Sequence, residues 1–239
     1  METIKIDKEK VRMIAHRGLS GLERENTMAA FIAAGNRSYY GIECDIHKTK
    51  DGQFVVIHDD NTERISPVNK LISETNYSEL NDINLYEVGS NTTASHLRIP
   101  LLSQYIDVCK KYNKVCFLEF KNLFSYDDIM KVLEIIENKQ YTEKTVFISF
   151  VLDNLINVRK LNKNSKIQYL VGKLDHNTLM ILRKYRFGID ILYSELTKEI
   201  VDELHKYHIE VNVWTVDNPI QALMLVSWNV DYITTNILE

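Results

Sequence analysis

The sequence is poor in cysteine, and its cysteines are not arranged for cross-linking or metal binding. Only Cys44, Cys109 and Cys116 occur among the 239 residues, an odd number without a C-x-x-C pair. We therefore expect neither a disulfide framework nor a zinc ribbon. The three residues are interpreted as reduced, small apolar side chains.

Long hydrophobic runs and one-sided charge are also missing. No apolar stretch approaches the ~18 residues of a membrane span, and residues 1–10 contain no apolar core of a signal peptide. The net charge is −4, and acidic and basic residues are mixed along the chain. The sequence thus predicts a cytoplasmic protein with no stable membrane association and no nucleic-acid partner. It does not indicate an oligomeric state.

Short β-rich runs alternate with longer amphipathic stretches from one end of the chain to the other. Such alternation predicts a parallel sheet with helical crossovers. The length lies close to the roughly 250 residues typical of a (β/α)8 barrel, so we expect an α/β fold of the TIM-like (β/α)8 type. A doubly wound sheet is the alternative, because periodicity does not show closure. The predicted barrel strands are Val11–Ala15, Gly41–Ile46, Val115–Phe120, Thr145–Ser149, Ile167–Val171, Ile189–Tyr193, Glu210–Trp214 and Asp231–Thr234.

Helix signals between the predicted strands support the same fold prediction. In 196–207, apolar residues recur on one helical face. Ser125 is a predicted N-cap. Asn218 followed by Pro219 predicts a second cap with proline at the first helical position.

One region interrupts the alternation. Phe54–His58 reads as an extra strand, and residues 59–99 are polar, irregular and rich in Asn, Ser and Thr. A segment of this length inside a compact domain is usually functional or a small inserted subdomain. We expect an insertion at 59–99 within a single domain spanning 1–239. Because it follows the second strand, it should lie over the barrel's C-terminal face, where active sites of this fold are found.

Paired acids are the first chemical signal. Glu43 and Asp45 lie at i, i+2 in a predicted strand, so both side chains point to one face. If that face is the barrel interior, two buried carboxylates are costly unless a divalent cation such as Mg2+ or Ca2+ neutralises them. An exposed edge strand, or pairing with Lys and Arg, is an equally good explanation. Glu119 and Lys121 repeat the spacing on the next barrel strand, either as an ion pair or as part of the same site.

Two histidines lie where predicted strands end. His16 and Arg17 precede Gly18, which permits an unusual backbone angle, and His58 follows an apolar strand. Imidazole titrates near neutral pH, so such a pair suits general acid–base catalysis. A lone histidine at a strand end is more often structural.

Neighbouring polar residues receive other interpretations. Asp59 and Asp60 are interpreted as turn or capping residues, and His47 as part of a solvated hairpin turn. Trp214, at the end of the seventh barrel strand, is a candidate wall of a pocket. Trp228, within a helical run, is interpreted as a packing residue.

Together these segments resemble the signature of the glycerophosphodiester phosphodiesterase family. The similarity spans nearly the whole chain, and the combined motif is specific although each part is weak. The matching segments are 14–18, 25–27, 30–31, 43–45, 49–52, 55–59, 118–121, 149–150 and 214–217.

The resemblance implies a single phosphodiesterase domain that holds one divalent cation through Glu43, Asp45 and Glu119. Mg2+ and Ca2+ are the first candidates, with Mn2+ as a third. The expected partner is a small-molecule phosphodiester. Such enzymes hydrolyse glycerophosphodiesters to glycerol 3-phosphate and an alcohol such as choline or ethanolamine.

By the same resemblance, His16 and His58 would be the acid–base pair, with the two roles unassigned. Arg17 and Lys121 would contact phosphate, and Trp214 would contact substrate. The nucleophile, either water or a glycerol hydroxyl, and the alcohol group are not specified.

Three segments depart from the family pattern. Arg24 stands where the family commonly has proline, and residues 62–66 differ from the usual run after the second histidine. The tail Thr234-Thr235-Asn236 lacks the usual acid and the following proline. All five proposed catalytic and metal-binding groups are nevertheless present. A catalytically silent phosphodiester-binding barrel is therefore less favoured. A barrel phospholipase, which would also use paired histidines, is less favoured because no exposed aromatic-basic amphipathic segment is evident.

Overall fold

The computed structural model describes residues 2–239. Eleven strands lie in this part of the chain, and eight of them form a closed parallel ring. The strands are β1 Arg12–Ala15, β2 Gly41–Lys48, β3 Phe54–Val56, β4 Leu85–Tyr86, β5 Thr93–Ala94, β6 Val115–Phe120, β7 Thr145–Ser149, β8 Lys166–Val171, β9 Gly188–Leu192, β10 Val211–Trp214 and β11 Tyr232–Thr235.

Closure of the ring decides between the two predicted architectures. The order is β1, β2, β6, β7, β8, β9, β10, β11, and β11 pairs back onto β1 with Arg12 opposite Tyr232 and Ala15 opposite Thr235. The predicted TIM barrel is therefore confirmed, and the doubly wound sheet is excluded. Strand β3 lies outside the ring and pairs antiparallel with the end of β2.

Seven of the eight helices connect consecutive barrel strands on the outside of the ring. The helices are α1 Met28–Gly35, α2 Tyr77–Asn81, α3 Leu102–Lys111, α4 Tyr126–Asn138, α5 Leu152–Leu161, α6 His176–Tyr185, α7 Lys198–Lys206 and α8 Pro219–Ser227. The predicted caps are confirmed: Ser125 accepts from the backbone of Asp128, and Asn218 caps α8 ahead of Pro219. Among residues 2–239, no helix is long and apolar enough to cross a membrane.

The sequence pattern predicts eight strand–helix units, but the eighth strand is not followed by a helix. Residues 236–239 instead run beside the first residues of the chain. Ile4 donates to the Ile237 carbonyl at 3.1 Å, and Glu239 donates to the Ile4 carbonyl at 2.8 Å. These bonds satisfy backbone groups that a helix would otherwise satisfy internally.

The barrel has an apolar lower interior and a polar upper interior. Ile14, Val115, Phe117 and Ile148 belong to a buried cluster inside the lower part of the ring. The same strand alternation directs the residues above them inward, so acidic side chains on β2 and β6 reach the C-terminal mouth. Outward-facing residues pack against the helices in the main core, which includes the three free, buried cysteines.

The insertion is more ordered than its polar composition predicts. A short 3-10 helix at Ile72–Glu74, α2 and the β4–β5 hairpin enclose a second apolar cluster that includes Ile65, Ile72, Leu80 and Leu97. These apolar residues are widely spaced in the sequence, so no single window reveals them. The expectation of an irregular segment is therefore corrected.

Arginines connect the insertion to the barrel mouth. Arg24, in the loop after β1, donates to the carbonyls of Tyr86 and Glu87. Arg64 of the insertion forms bonds of 2.8 Å with both carboxylate oxygens of Glu25. The insertion thus contacts the C-terminal end of the barrel, as its place after β2 predicts.

If 59–99 is an insertion with its own core, a cavity in that core should loosen it selectively. We expect Leu80→Ala, at a fully buried site, to lower the opening free energy of residues 59–99 by about 3 kcal/mol. Native-state hydrogen exchange measures this. Leu71→Ala is the control, since that side chain is 46% exposed. Equal loss of protection in the barrel strands would contradict an independent unit.

Candidate active site

Three buried carboxylates meet at the C-terminal mouth of the barrel. Glu43 and Asp45 come from β2 and Glu119 from β6, with Asp45 directly opposite Glu119 in the strand register. One oxygen of each side chain lies within 4.8 Å of the other two. The face predicted for the paired acids is therefore the interior, and the acids are on adjacent strands. This buried acidic group can bind a metal ion.

The electrostatics of the three acids fit a hard divalent cation. Burial, added to the charges of Asp45 and Glu119, raises the pKa of Glu43 well above its ordinary value. Burial and the charge of Asp45 likewise raise the pKa of Glu119 to about 8. Oε2 of Glu43 accepts from the backbone N–H of Arg17 at 2.7 Å, whereas its buried Oε1 has no hydrogen-bond partner. A cation would complete the coordination of that oxygen and remove the repulsion.

Asp45 differs from its two neighbours because cations already surround it. Although burial opposes ionisation, the charges of Arg17 and Lys121 hold its pKa below the usual range. Arg17 Nε lies 3.4 Å from Oδ2, and Lys121 Nζ lies 3.4 Å from Oδ1. Asn26 donates to Oδ2 at 2.7 Å. Lys121 also lies 2.9 Å from Glu119, so the ion pair that the sequence offers as one alternative is present.

The loop after β1 positions Arg17 through two residues with left-handed backbone. Arg17 has φ of +56° and Gly18 has φ of +77°. A Cβ on Gly18 would lie 2.7 Å from the backbone of Ala30, so glycine is required where this loop touches α1. The turn brings the Arg17 N–H to Glu43 and its guanidinium to Glu25 at 2.9 Å.

The hydrogen bonds of His16 define its tautomer. Nδ1 lies 2.8 Å from Oδ1 of Asn236, and the Asn236 amide nitrogen donates to Asp217 at 2.6 Å. Asp217 thereby turns the amide oxygen toward His16. Since that oxygen only accepts, Nδ1 carries the proton and Nε2 keeps a free lone pair. Burial, with the charge of Arg17, lowers the pKa of His16 to about 4.

His58 has a charged partner instead. Its Nδ1 lies 2.7 Å from Oδ1 of Asp59, and Arg64 donates to the other oxygen of Asp59 at 2.6 Å. Asp59 is therefore a partner of the histidine, whereas the sequence predicts a turn or capping residue. The difference arises because strand β3 ends at Val56, so His58 and Asp59 lie together in the following loop.

A cavity of about 110 Å3 joins these groups. One side of the cavity is charged and is formed by side chains in or just after β1, β2, β3 and β6. The other side is largely apolar and is formed by side chains in or just after β7 to β11. Seven of the eight predicted site residues line the cavity, and Asp45 is the exception. The lining residues are His16, Arg17, Glu43, His58, Glu119, Lys121, Ile148, Phe150, Leu170, Asp190, Trp214, Thr215 and Thr234.

His47 corrects another sequence interpretation. It is buried on β2 rather than solvated in a turn, and its Nε2 contacts the His58 carbonyl at 3.1 Å. Asn122 approaches its Nδ1 at 3.3 Å. Because β2 continues to Lys48, two residues beyond its predicted end, His47 supports the loop that carries His58. Trp228 packs against the main core, as predicted.

Comparisons with known proteins show the family to which this chain belongs. A model described as the glycerophosphoryl diester phosphodiesterase family matches residues 16–239. The chain belongs to the glycerophosphoryl diester phosphodiesterase family. It is accordingly a phosphoric diester hydrolase, as the sequence motifs indicate.

Relatives of this family match over nearly the full chain. A glycerophosphodiester phosphodiesterase of Bacillus altitudinis is 30% identical over 235 residues, with 94% of each chain covered. An Oleispira antarctica phosphodiesterase in complex with the product sn-glycerol-3-phosphate has a TM-score of 0.88 at 24% identity, covering 94% of this chain and 92% of that chain. A glycerophosphodiester phosphodiesterase from Parabacteroides distasonis has a TM-score of 0.80 at 28% identity, covering 96% and 94%.

Several partners in this family member were not assigned roles from the sequence. Glu25 and Asn26 occur in the opening motif, and the structure brings them against Arg17 and Asp45. Asn236, noted as a departure from the family pattern, contacts His16. Asp190 carried no sequence signal, because a single acid in a buried strand has no distinguishing neighbour.

If the three carboxylates bind a metal ion, removing the charge of one of them should weaken metal binding. We expect Glu43→Gln and Glu119→Gln to weaken Mn2+ binding by roughly 100-fold or more, since even outer partners of metal ligands are worth 10–100-fold. Titration of the purified protein, followed by electron paramagnetic resonance of free Mn2+, measures the affinity without catalysis. Glu203→Gln, on an exposed face of α7, is the matched control. Unchanged affinity in both cavity variants would place the ion elsewhere.

Proposed function

We propose that this protein is a metal-dependent enzyme that hydrolyses glycerophosphodiesters to glycerol 3-phosphate and an alcohol. One observation supports the proposal most directly. In a chain of this family, a single cavity is bordered by two histidines, two positively charged side chains and two carboxylates: His16, His58, Arg17, Lys121, Glu43 and Glu119. The product named for the Oleispira antarctica structure supports a glycerol phosphate in this chain as well. The cytoplasmic location remains a prediction from the sequence.

Glu43, Asp45 and Glu119 are the proposed ligands of one divalent cation, Mg2+ or Ca2+, with Mn2+ as a third candidate. When bound, such an ion neutralises charge on phosphoryl oxygens and helps to orient the phosphorus. Oxygen-only ligands suit these hard ions. The unpartnered Oε1 of Glu43 supports the assignment.

Arg17 and Lys121 are the proposed phosphate-binding residues. Their side chains are only 18% and 15% exposed, and both border the cavity. Asp45 contacts both cations and Glu25 contacts Arg17, so their positions are fixed before substrate arrives. Fixed charges of this kind stabilise developing negative charge without reorganisation in the transition state.

The hydrogen-bond partners of the two histidines support different roles. His16 donates through Nδ1 to a neutral amide, which leaves Nε2 free to accept a proton from the nucleophilic hydroxyl of water or glycerol. His58 instead contacts the carboxylate of Asp59 through Nδ1 at 2.7 Å and borders the cavity, where its ring can donate a proton to the leaving oxygen. We therefore assign His16 as the general base and His58 as the general acid that protonates the leaving oxygen.

The reaction is tested by incubating the protein with glycerophosphocholine, glycerophosphoethanolamine and glycerophosphoglycerol. We expect glycerol 3-phosphate release that requires a divalent cation and is abolished by EDTA. Loss of a general acid or base costs typically ~10²–10⁴-fold, so His16→Ala and His58→Ala should lower kcat by that factor. His176→Ala, at an exposed position on α6, should change kcat less than twofold. A folded, metal-loaded protein without release from any of the three would contradict the proposed activity.

The assignment of the two histidines predicts opposite changes in the pH profile of kcat/KM. Asn236→Asp places a carboxylate against Nδ1 of His16 and favours its protonated form. Because a base must be unprotonated to act, the acidic limb should move up by about one pH unit or more. Asp59→Asn removes the negative charge next to the proposed general acid His58, so the basic limb should move down.

A surface variant controls for net charge in this experiment. Asn164→Asp, in an exposed loop before β8, should leave both limbs in place. If Asn236→Asp moves the basic limb and Asp59→Asn the acidic limb, the two roles are reversed.

A further inference from the structure

Five buried side-chain polar atoms of the residues that line the catalytic cavity have no hydrogen-bond partner, and two of them come from strands β9 and β10. These two are Oδ1 of Asp190 on β9 and Nε1 of Trp214 at the end of β10. Both residues line the 110 Å3 cavity, and Asp190 is only 2% exposed. Buried polar groups are nearly always paired, so each exception calls for an explanation.

The protein itself offers no partner for Asp190. Its neighbours across the strands are Leu170 on β8 and Asn212 on β10. Asn212 already donates to Gln168 at 3.0 Å and accepts from Thr234 at 3.2 Å. Burial raises the pKa of Asp190 to about 8. In the protonated form its carboxyl group can both donate and accept a hydrogen bond.

The two residues lie across the ring from the three acids on β2 and β6. Strands β7 and β8 separate β9 from β6, and strands β11 and β1 separate β10 from β2. The ring of Phe150 meets that of Trp214 edge-on with centroids 5.7 Å apart. This half of the cavity thus combines apolar surface with one carboxyl group and one N–H donor.

We propose that Asp190 and Trp214 form a hydroxyl-binding subsite that selects the glycerol portion of the substrate. This inference rests on the proposed function, because the phosphate must occupy the charged side of the cavity. A glycerol chain extending from that phosphate has C–H groups for the aromatic faces. Its two hydroxyls can pair with the carboxyl group and the indole N–H. A chain without hydroxyls would leave both protein groups unpaired, and unpaired buried groups discriminate strongly against such analogues.

The test compares sn-glycerol 3-phosphate with propyl phosphate, which has the same chain length but no hydroxyls. Calorimetric titrations with Mg2+ present measure both dissociation constants without turnover. We expect the wild-type protein to prefer sn-glycerol 3-phosphate at least tenfold. Asp190→Leu should reduce that preference to less than threefold, with propyl phosphate binding changed less than twofold. Trp214→Phe, which keeps an aromatic ring but removes the N–H, should lower the preference in part.

Two controls separate recognition from folding. Asp202→Asn, on the exposed face of α7, should retain the full preference. Asp190→Asn and Asp190→Leu should both have a Tm at pH 8 equal to or above that of the wild type, because each removes a buried carboxyl group without a partner.

The outcomes distinguish this inference from the proposed function. If the wild type releases glycerol 3-phosphate from diesters but Asp190→Leu keeps the full preference for sn-glycerol 3-phosphate over propyl phosphate, only the subsite is overturned. Equal wild-type affinity for the two phosphates also overturns it. Absence of diester hydrolysis by the wild type overturns the proposed function, and the subsite with it.

Discussion

The structure depends on the concentration of charge at the mouth of the barrel. Three carboxylates are buried beside one another; Asp45 contacts Arg17 and Lys121, Glu119 contacts Lys121, and Oε1 of Glu43 has no partner. Burying like charges together is expensive. The three carboxylates can therefore bind a cation, and the adjacent Arg17 and Lys121 are the proposed phosphate-binding residues.

The surrounding elements hold these charges in fixed positions. The left-handed turn at Arg17 and Gly18 brings both a backbone N–H and a guanidinium to the carboxylates. Glu25 then links Arg17 to Arg64, and Arg64 reaches Asp59, the partner of His58. The insertion is thus connected to the acid–base machinery through an ion-pair network. Its own apolar cluster keeps Arg64 in place. A loop of the same composition without that cluster would be free to move.

Each histidine is oriented by a different kind of partner, and the proposed assignment of general base and general acid is based on this difference. An amide held by Asp217 faces His16, whereas a carboxylate held by Arg64 faces His58. The opposite side of the cavity contributes little charge, and there the unpartnered atoms of Asp190 and Trp214 supply polar contacts. In the proposed function, phosphate recognition, proton transfer and recognition of the organic group therefore use different side chains of one small cavity.

The sequence by itself determined the alternation of strands and helices, the common face of Glu43 and Asp45, and the motifs that indicate the family. These follow from local periodicity and from motifs whose spacing is visible along the chain. Only the tertiary structure decided ring closure, the ordered core of the insertion, the buried place of His47 and the partners Asn236 and Asp59. It also revealed the isolation of Asp190. Contacts such as His16 with Asn236 join residues from opposite ends of the chain, and a linear pattern carries no information about which distant groups a closed barrel brings together.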